Sequence, residues 1–188
     1  MFTPFWRNAE QVYLNQPPSK NYIVKKKIKK ITYFKKFIEA KDILPKKNWY
    51  KKFEKYWKVS ENDSKKILKN LIENKIKDYG TSRDIPSIEG TSKLSPYIKH
   101  GQIHVGSIWK KCSEIKSKGI GYRKYINELG WREFSHSLIN YFPEFLKGNF
   151  RKEFDKFPWV KNAKFLKAWK KGMTVYPIVD AGMRDLYE

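Results

Sequence analysis

The chain has 188 residues, and its 41 lysines and arginines against 19 acidic residues give a formal net charge of +22. A field of that sign attracts polyanions such as nucleic acid or an anionic membrane surface. The sequence has no apolar run of about 18 residues and no signal peptide, so it predicts a soluble, cytoplasmic protein with no membrane partner. The chain is also rich in Lys, Asn and Ile together, and a coding bias explains the charge excess about as well as a nucleic-acid partner does.

Metal chemistry is not indicated. Cys112 is the only cysteine, so no intrachain disulfide and no thiolate metal cluster can form. His100 and His104 are four residues apart, but no carboxylate or cysteine joins them at the spacing of a metal site. We therefore predict surface histidines and no metal.

Residues 1 to 60 form a basic, linker-like segment with sixteen lysines and arginines against four acidic residues. It contains a Pro-Pro pair at 17 and 18 and the run KKKIKK from Lys25 to Lys30. Its aromatic residues offer apolar area that can dock on a folded body, so we expect partial order: Tyr33, Phe34, Phe37, Trp49, Tyr50, Phe53, Tyr56 and Trp57.

Beyond residue 60 the hydrophobic spacing is helical and strand signals are nearly absent, so the predicted fold class is all-α. Ser60 is a candidate N-cap for a helix whose apolar face ends at Gly80. Ser95 and Pro96 predict a second helix start, with Gly101 as its stop. Further helices are expected at about 105–116, 122–141, 162–170 and from 177 to the end.

Two stretches carry residues suited to binding chemistry. Thr91, Ser92 and Ser95 crowd a loop before a helix start, where unpaired N–H groups favour a phosphate, although such clusters are more often plain caps. In ELGWREFSHSL, Glu128, Trp131, Arg132 and Ser135 share one helical sector. This set suits a pocket for a nucleobase. Taken alone, it is more often an amphipathic helix with a buried Trp and a solvated Glu/Arg pair.

Four ordered blocks resemble the flavin-binding helical domain of DNA photolyases and cryptochromes, most closely the bacterial enzymes that repair cyclobutane pyrimidine dimers. The blocks are GTSKLSPYIKHGQIH, YINELGWREFSHSLINYFPEFL, EFDKFPWVKNAKFLKAWKKGM and YPIVDAGMRDLYE. The opening MFTPFWRNAE resembles the start of the interdomain connection in the same family. The resemblance implies that residues 61–188 form the amino-terminal portion of this domain, without the antenna domain and the rest of the flavin domain.

The resemblance also implies roles for individual residues. FAD contacts are expected from Tyr79, from the diphosphate loop (Thr91, Ser92, Lys93, Leu94 and Ser95) and from Tyr125, Glu128, Arg132 and Ser135. Contacts with DNA and its dimer are expected from Arg83, Glu128 and Trp131, although Arg83 beside Asp84 is also typical of a surface salt bridge. Trp159 matches the outermost tryptophan of the electron-transfer chain, and a half-buried Trp beside Pro158 is the plain alternative.

Two departures from the family pattern are visible. Lys93 stands where many relatives have Arg, which is a mild change. Val175 stands where relatives commonly have Gly, and a β-branched residue is costly if that backbone needs a positive φ.

The activity that the resemblance implies is light-driven, FAD-dependent repair of cyclobutane pyrimidine dimers by a deoxyribodipyrimidine photolyase, a monomer when complete. We expect the 188 residues alone not to repair DNA. Two alternatives stay open: a cryptochrome-type flavin photoreceptor, and a flavin-free basic protein that binds nucleic acid by charge alone. Glu128 beside Trp131 favours repair over photoreception.

Overall fold

The computed structural model describes residues 1–15 and 43–187, and these two ranges contain helices and no β-strand. The all-α prediction is therefore confirmed. The α-helices are α1 (Phe2–Asn15), α2 (Glu61–Asn70), α3 (Tyr79–Ser82), α4 (Ser95–Lys99), α5 (Val105–Ser113), α6 (Ile120–Tyr141), α7 (Ala163–Lys170) and α8 (Pro177–Tyr187). Three 3-10 segments are Asn48–Lys55, Pro143–Leu146 and Lys152–Lys156, and Leu71–Lys75 is a π-helical turn.

The chain divides into two compact units, Met1–Leu138 and Ile139–Glu188. The predicted change of character near residue 60 stays a prediction, and its KKKIKK run and the aromatics at 33, 34 and 37 lie outside the described residues. No helix in the described ranges is both long and apolar enough to cross a membrane.

The start of α2 follows the predicted cap. Ser60 has extended backbone, and its Oγ accepts a hydrogen bond from the Asp63 backbone N–H at 3.0 Å. Asp63 lies in the first turn, where a carboxylate also interacts favourably with the positive end of the helix dipole.

The prediction that Gly80 ends this helical pattern is wrong. The α-helix changes at Leu71 to a π-helical turn, closed by a bond of 2.8 Å from the Ile76 N–H to the Leu71 carbonyl. A bond between residues five apart brings Ile76 close to the face that Leu71 occupies, and both side chains are buried. Gly80 then lies inside α3.

The start of α4 also differs from expectation. Leu94 holds the N-cap position and no side chain caps the helix, so Ser95 is not the cap that its place before Pro96 predicts. Ser92 closes the loop instead, because its Oγ accepts a hydrogen bond from the Leu94 N–H at 3.3 Å. The stop is as predicted: Gly101 follows the helix with a φ of 71°, which suits a residue without a Cβ.

Helix α6 supplies the core face of the first unit. Its buried residues recur at spacings of three and four and pack with α2 and α5: Tyr122, Tyr125, Ile126, Leu129 and Gly130. The predicted site residues Glu128, Trp131, Arg132 and Ser135 lie on the remaining faces of α6, while Tyr125 belongs to the core face. The packing of the core therefore fixes where these residues lie.

Helix α1 packs against α6 through Trp6. A Cβ on Gly130 would lie 2.6 Å from the Trp6 ring, so only glycine permits this approach. The Trp6 ring is buried and meets Trp109 of α5 edge to face, with centroids 5.5 Å apart. Trp6 therefore holds α1 on the core.

The second unit is organised around Asp180 in α8. Its carboxylate accepts hydrogen bonds from the Thr174 N–H at 2.7 Å, the Thr174 hydroxyl at 2.6 Å and the Val175 N–H at 3.0 Å. Val175 has a φ of 71°, so the position where relatives commonly have Gly does adopt the left-handed conformation. Asn162 caps α7 by accepting from the Lys164 and Phe165 N–H groups.

Candidate functional site

Arg83 and Glu128 form an ion pair between the end of α3 and the middle of α6. The pair joins Arg83 Nη1 to Glu128 Oε1, while Arg83 Nε lies 3.3 Å from the Asp84 carboxylate. The hydrogen bond to Glu128 is the main reason that the pKa of Arg83 is raised. Both partners are about one-third exposed, so the pair lies at an accessible surface rather than in the core.

Two packed tyrosines adjoin this ion pair, and one of them, Tyr79, lies under Arg83. Tyr79 and Tyr125 are buried and meet edge to face with ring centroids 5.1 Å apart. The Arg83 guanidinium lies over the Tyr79 ring, 5.6 Å from its centroid. Burial raises the pKa of Tyr79, and Arg83 partly opposes that rise.

Tyr125 connects this cluster to the hydroxyl loop. Burial raises the pKa of Tyr125 strongly, and the nearby Ser92 hydroxyl opposes the rise. The phenol is therefore neutral at neutral pH. The structure thus brings together five predicted site residues: Tyr79, Arg83, Ser92, Tyr125 and Glu128.

The loop from Thr91 to Ser95 presents its other hydroxyls outward. Thr91 and Ser95 are exposed, and their hydroxyls form no hydrogen bond with another described residue. Lys93 has a φ of 54°, and its Nζ contacts the Glu89 carboxylate at 2.5 Å. Leu94 is buried and anchors the loop to the core.

Trp131 lies on α6 one turn beyond Glu128 and is 46 % exposed. One face of its indole is covered by Phe2 of α1, with centroids 3.7 Å apart and planes inclined by 9°. Phe134 meets both rings edge to face. The amphipathic-helix alternative with a buried Trp is therefore not what the structure shows.

Arg132 and Ser135 do not join the Arg83–Glu128 pair. Arg132 pairs with its neighbour Glu133, and the Ser135 hydroxyl donates to the Trp131 carbonyl at 2.9 Å. Trp159 belongs to the second unit, where it is 76 % exposed and contacts Phe157 with centroids 4.7 Å apart. The alternative of a half-buried Trp at this position is wrong.

Two residues that shape the site were not singled out from the sequence. Phe2 covers Trp131, and Gly90 lets the hydroxyl loop approach α3, since a Cβ there would lie 2.3 Å from the Ser82 carbonyl carbon and oxygen. The signal for Gly90 is its place beside Thr91 in EGTSKLS. No local signal predicts the contact of Phe2, because the two rings are 129 positions apart.

The sequence and structure were compared with known proteins. Residues 125–188 match the family model described as the FAD binding domain of DNA photolyase. The deoxyribodipyrimidine photo-lyase of Agrobacterium fabrum is 34 % identical over 199 residues, covering 100 % of this chain and 40 % of that protein. The enzyme of the same name from Escherichia coli is 35 % identical over 136 residues, covering 70 % and 29 %.

A solved structure gives the same result. The bacterial class III photolyase from Agrobacterium tumefaciens matches with a TM-score of 0.77 and 30 % identity, over 100 % of this chain and 39 % of that one. The fold is therefore that of the helical domain of these photolyases. The chain belongs to the DNA photolyase and cryptochrome family, and it spans about two-fifths of the length of the Agrobacterium proteins that it matches.

Proposed function

We propose that this chain is the part of a deoxyribodipyrimidine photolyase that holds FAD and a cyclobutane pyrimidine dimer in DNA. The observation that carries the proposal is the Arg83–Glu128 ion pair over the buried Tyr79–Tyr125 rings, with the exposed Trp131 one helical turn away. A carboxylate, a guanidinium and an open aromatic face are the groups that bind an extruded base and its phosphate.

The hydroxyl loop has the donor chemistry that a diphosphate needs. Thr91 and Ser95 present exposed hydroxyls, and Lys93 adds a cation beside them. Tyr79 and Tyr125 provide a dry, neutral wall behind this loop, because burial keeps both phenols protonated. These residues fit the diphosphate and ring portions of FAD, with Arg132 and Ser135 as further contacts on α6. When bound and reduced, FAD would supply, in blue light, the electron that splitting a cyclobutane ring needs.

Arg83 and Glu128 keep binding capacity while they are paired. Glu128 uses Oε1 for Arg83, which leaves Oε2 to accept a hydrogen bond from the N–H edge of a base. Arg83 uses Nη1 and Nε for its two carboxylates, and Nη2 forms no hydrogen bond with another described residue. Arg83 can therefore donate to a DNA phosphate without releasing Glu128.

Trp131 is proposed to stack on the dimer with the face that Phe2 does not cover. A damaged pair loses less energy on unstacking than an intact pair, so extrusion selects the lesion before Trp131 and Glu128 contact it. Trp159 is proposed as the outer residue of an electron path that reduces the flavin in light, and its exposure is consistent with a role at the protein surface.

Lesion recognition is tested by replacing Trp131 with alanine and measuring the binding of duplexes with and without one dimer. Affinity for the damaged duplex should fall by about 1–3 kcal/mol, the range for stacking of a base on an aromatic ring, and affinity for the undamaged duplex should not change. Trp169→Ala is the matched control, because Trp169 is 48 % exposed and lies in the second unit. Equal losses on both duplexes would show that Trp131 acts only through the fold, as a core residue, and would contradict the proposal.

Flavin binding is tested on the same chain by titrating FAD and following the quenching of its fluorescence. Joint replacement of Thr91, Ser92 and Ser95 by alanine should weaken binding, because three hydroxyl donors are removed. Alanine at the exposed residues Ser87 and Ser117 is the control. If the triple variant binds FAD as tightly as the unmodified chain and the control variant do, the assignment of the hydroxyl loop is contradicted.

A further inference from the structure

The segment from Lys46 to Lys58 is a cationic and aromatic surface, which we call the basic-aromatic strip. It contains six lysines and one acidic residue, Glu54, together with five aromatic residues. None of the residues in its 3-10 helix Asn48–Lys55 is buried. Within the described residues, no lysine of the strip forms an ion pair, so its charge is not neutralised by this part of the protein.

The aromatic residues of the strip form an exposed cluster. Trp49 meets Tyr50 and Phe53 edge to face, with centroids 6.2 and 6.0 Å apart. Trp49 is 60 % exposed and Phe53 is 52 % exposed, so neither ring is buried in the core. These rings hold each other in place, and their outward faces are open, so unpaired bases can stack on them. The lysines that lie between them in sequence can neutralise the phosphates.

The strip leads into a recess on the first unit. A cavity of about 340 Å³ is lined by residues that include Trp57, Lys58, Tyr97 and His100. Trp57 packs at an angle of 53° to Tyr97, and the Tyr97 hydroxyl donates to the Lys58 carbonyl at 2.6 Å. That hydrogen bond fixes the end of the strip to α4. The cavity combines aromatic walls with polar groups, and its volume falls in the range of sites that take small organic groups.

We infer that the basic-aromatic strip and this recess form a binding site for single-stranded nucleic acid, separate from the Glu128 and Trp131 region. Phosphates would lie along the lysines, bases would stack on Trp49 and Phe53, and one base would enter the recess beside Trp57. A duplex would gain only the phosphate contacts, because its bases are already stacked on each other. The inference is independent of flavin and of dimer recognition.

The stacking component is tested with a fluorescein-labelled oligothymidine of twelve nucleotides, by anisotropy with the complete 188-residue chain. The double variant Trp49→Ala, Phe53→Ala should weaken binding at least about fivefold, the lower end of the effect of losing one stacked base. Both side chains are about half exposed or more, so the fold is expected to survive, and the circular dichroism spectrum checks this. The matched control is Phe165→Ala, Trp169→Ala in α7, another lysine-rich element, and it should stay within about twofold.

The phosphate component is tested by the dependence of affinity on salt. Replacing Lys47, Lys51, Lys52 and Lys55 by glutamine should reduce the slope of log K against log salt by about 3, since each phosphate contact on a single strand contributes about 0.7. The control replaces four lysines in and beside α7 by glutamine, and it should reduce the slope by less than about 1. These are Lys164, Lys167, Lys170 and Lys171.

Four results would overturn the inference. The first is that the control variants in α7 weaken oligothymidine binding as much as the strip variants do, which would show diffuse charge attraction. The second is that the aromatic variants bind oligothymidine as tightly as the unmodified chain. The third is that a duplex of equal length binds as tightly as oligothymidine and loses the same affinity in the strip variants. The fourth is that the strip variants lose binding to phosphatidylserine-containing vesicles and keep binding to oligothymidine, which would make the strip a membrane contact.

Discussion

Replacing Val175 by glycine should stabilise the chain. Val175 has a φ of 71°, which forces a β-branched residue into the left-handed region, and its side chain is 92 % exposed. The left-handed conformation costs an L-residue about 1–2 kcal/mol, while the extra freedom of a glycine in the unfolded chain costs about 0.5–1 kcal/mol. The side chain buries almost nothing, and the N–H that donates to Asp180 is kept. The net gain should be about 0.5–1 kcal/mol.

The assay is thermal unfolding followed by circular dichroism at fixed protein concentration. For a chain of this length the gain corresponds to a rise in Tm of about 1–4 °C. Val160→Gly is the matched control, because Val160 is 83 % exposed and does not have a positive φ. The control should lower Tm, since it adds the entropic cost and relieves no strain. If Val175→Gly lowers Tm as much as Val160→Gly does, the backbone at Val175 is not strained and the reasoning is refuted.

Three further predictions concern packing, the thiol and acid sensitivity. Gly130→Ala should destabilise the fold by about 1–3 kcal/mol in a denaturant titration, because the new Cβ would overlap the Trp6 ring. The control is Gly182→Ala in α8, where a Cβ meets nothing within 4 Å, and it should stabilise the fold by about 0.5–1 kcal/mol. Burial raises the pKa of the Cys112 thiol to about 12, so it should stay unreactive toward a disulfide reagent at pH 8 in the folded chain and react fully in denaturant. Hydrogen bonds from Thr174, opposed by desolvation, lower the pKa of Asp180. The stability that this carboxylate contributes should therefore be complete above the pKa of an unfolded aspartate and lost as the pH falls through the lowered pKa. Asp180→Asn should make acid unfolding less steep.

Local signals in the sequence predicted the parts of the fold that depend on neighbouring residues. Ser60 caps its helix as predicted, because a short polar side chain reaches the N–H group three positions ahead. The strain at Val175 was predictable for the same reason, since a single position decides it. The fold class followed from the spacing of apolar residues.

Signals that depend on the rest of the structure were misread. Glycine commonly ends a helix, which is why Gly80 was expected to do so. The α-helix instead changes earlier to a π-helical turn, which suits the burial of both Leu71 and Ile76. Ser95 before Pro96 has the pattern of a cap, but burial of Leu94 fixes the loop so that Ser92 supplies the side-chain acceptor instead. In both cases burial in the core overrides a local preference.

The candidate site shows the same division. The resemblance assigned Arg83 and Glu128 separate contacts, whereas their ion pair requires the docking of α3 on α6, which no spacing in the sequence encodes. Tyr79 and Tyr125 were expected near the flavin, and their mutual packing and burial depend on the same docking. The family resemblance therefore named these residues as candidates, and it did not predict the contacts between them.

The stacking of Phe2 on Trp131 limits how the proposed lesion site can work. Helix α1 cannot withdraw easily, because Trp6 is buried against Gly130 and Trp109. A base that approaches Trp131 therefore meets a ring already stacked on one face and has only the opposite face available. The stacking orients the indole before any ligand arrives, so less conformational entropy is lost when a base binds. Selection of a lesion by Trp131 thus depends on α1, a helix that supplies none of the residues proposed to touch DNA.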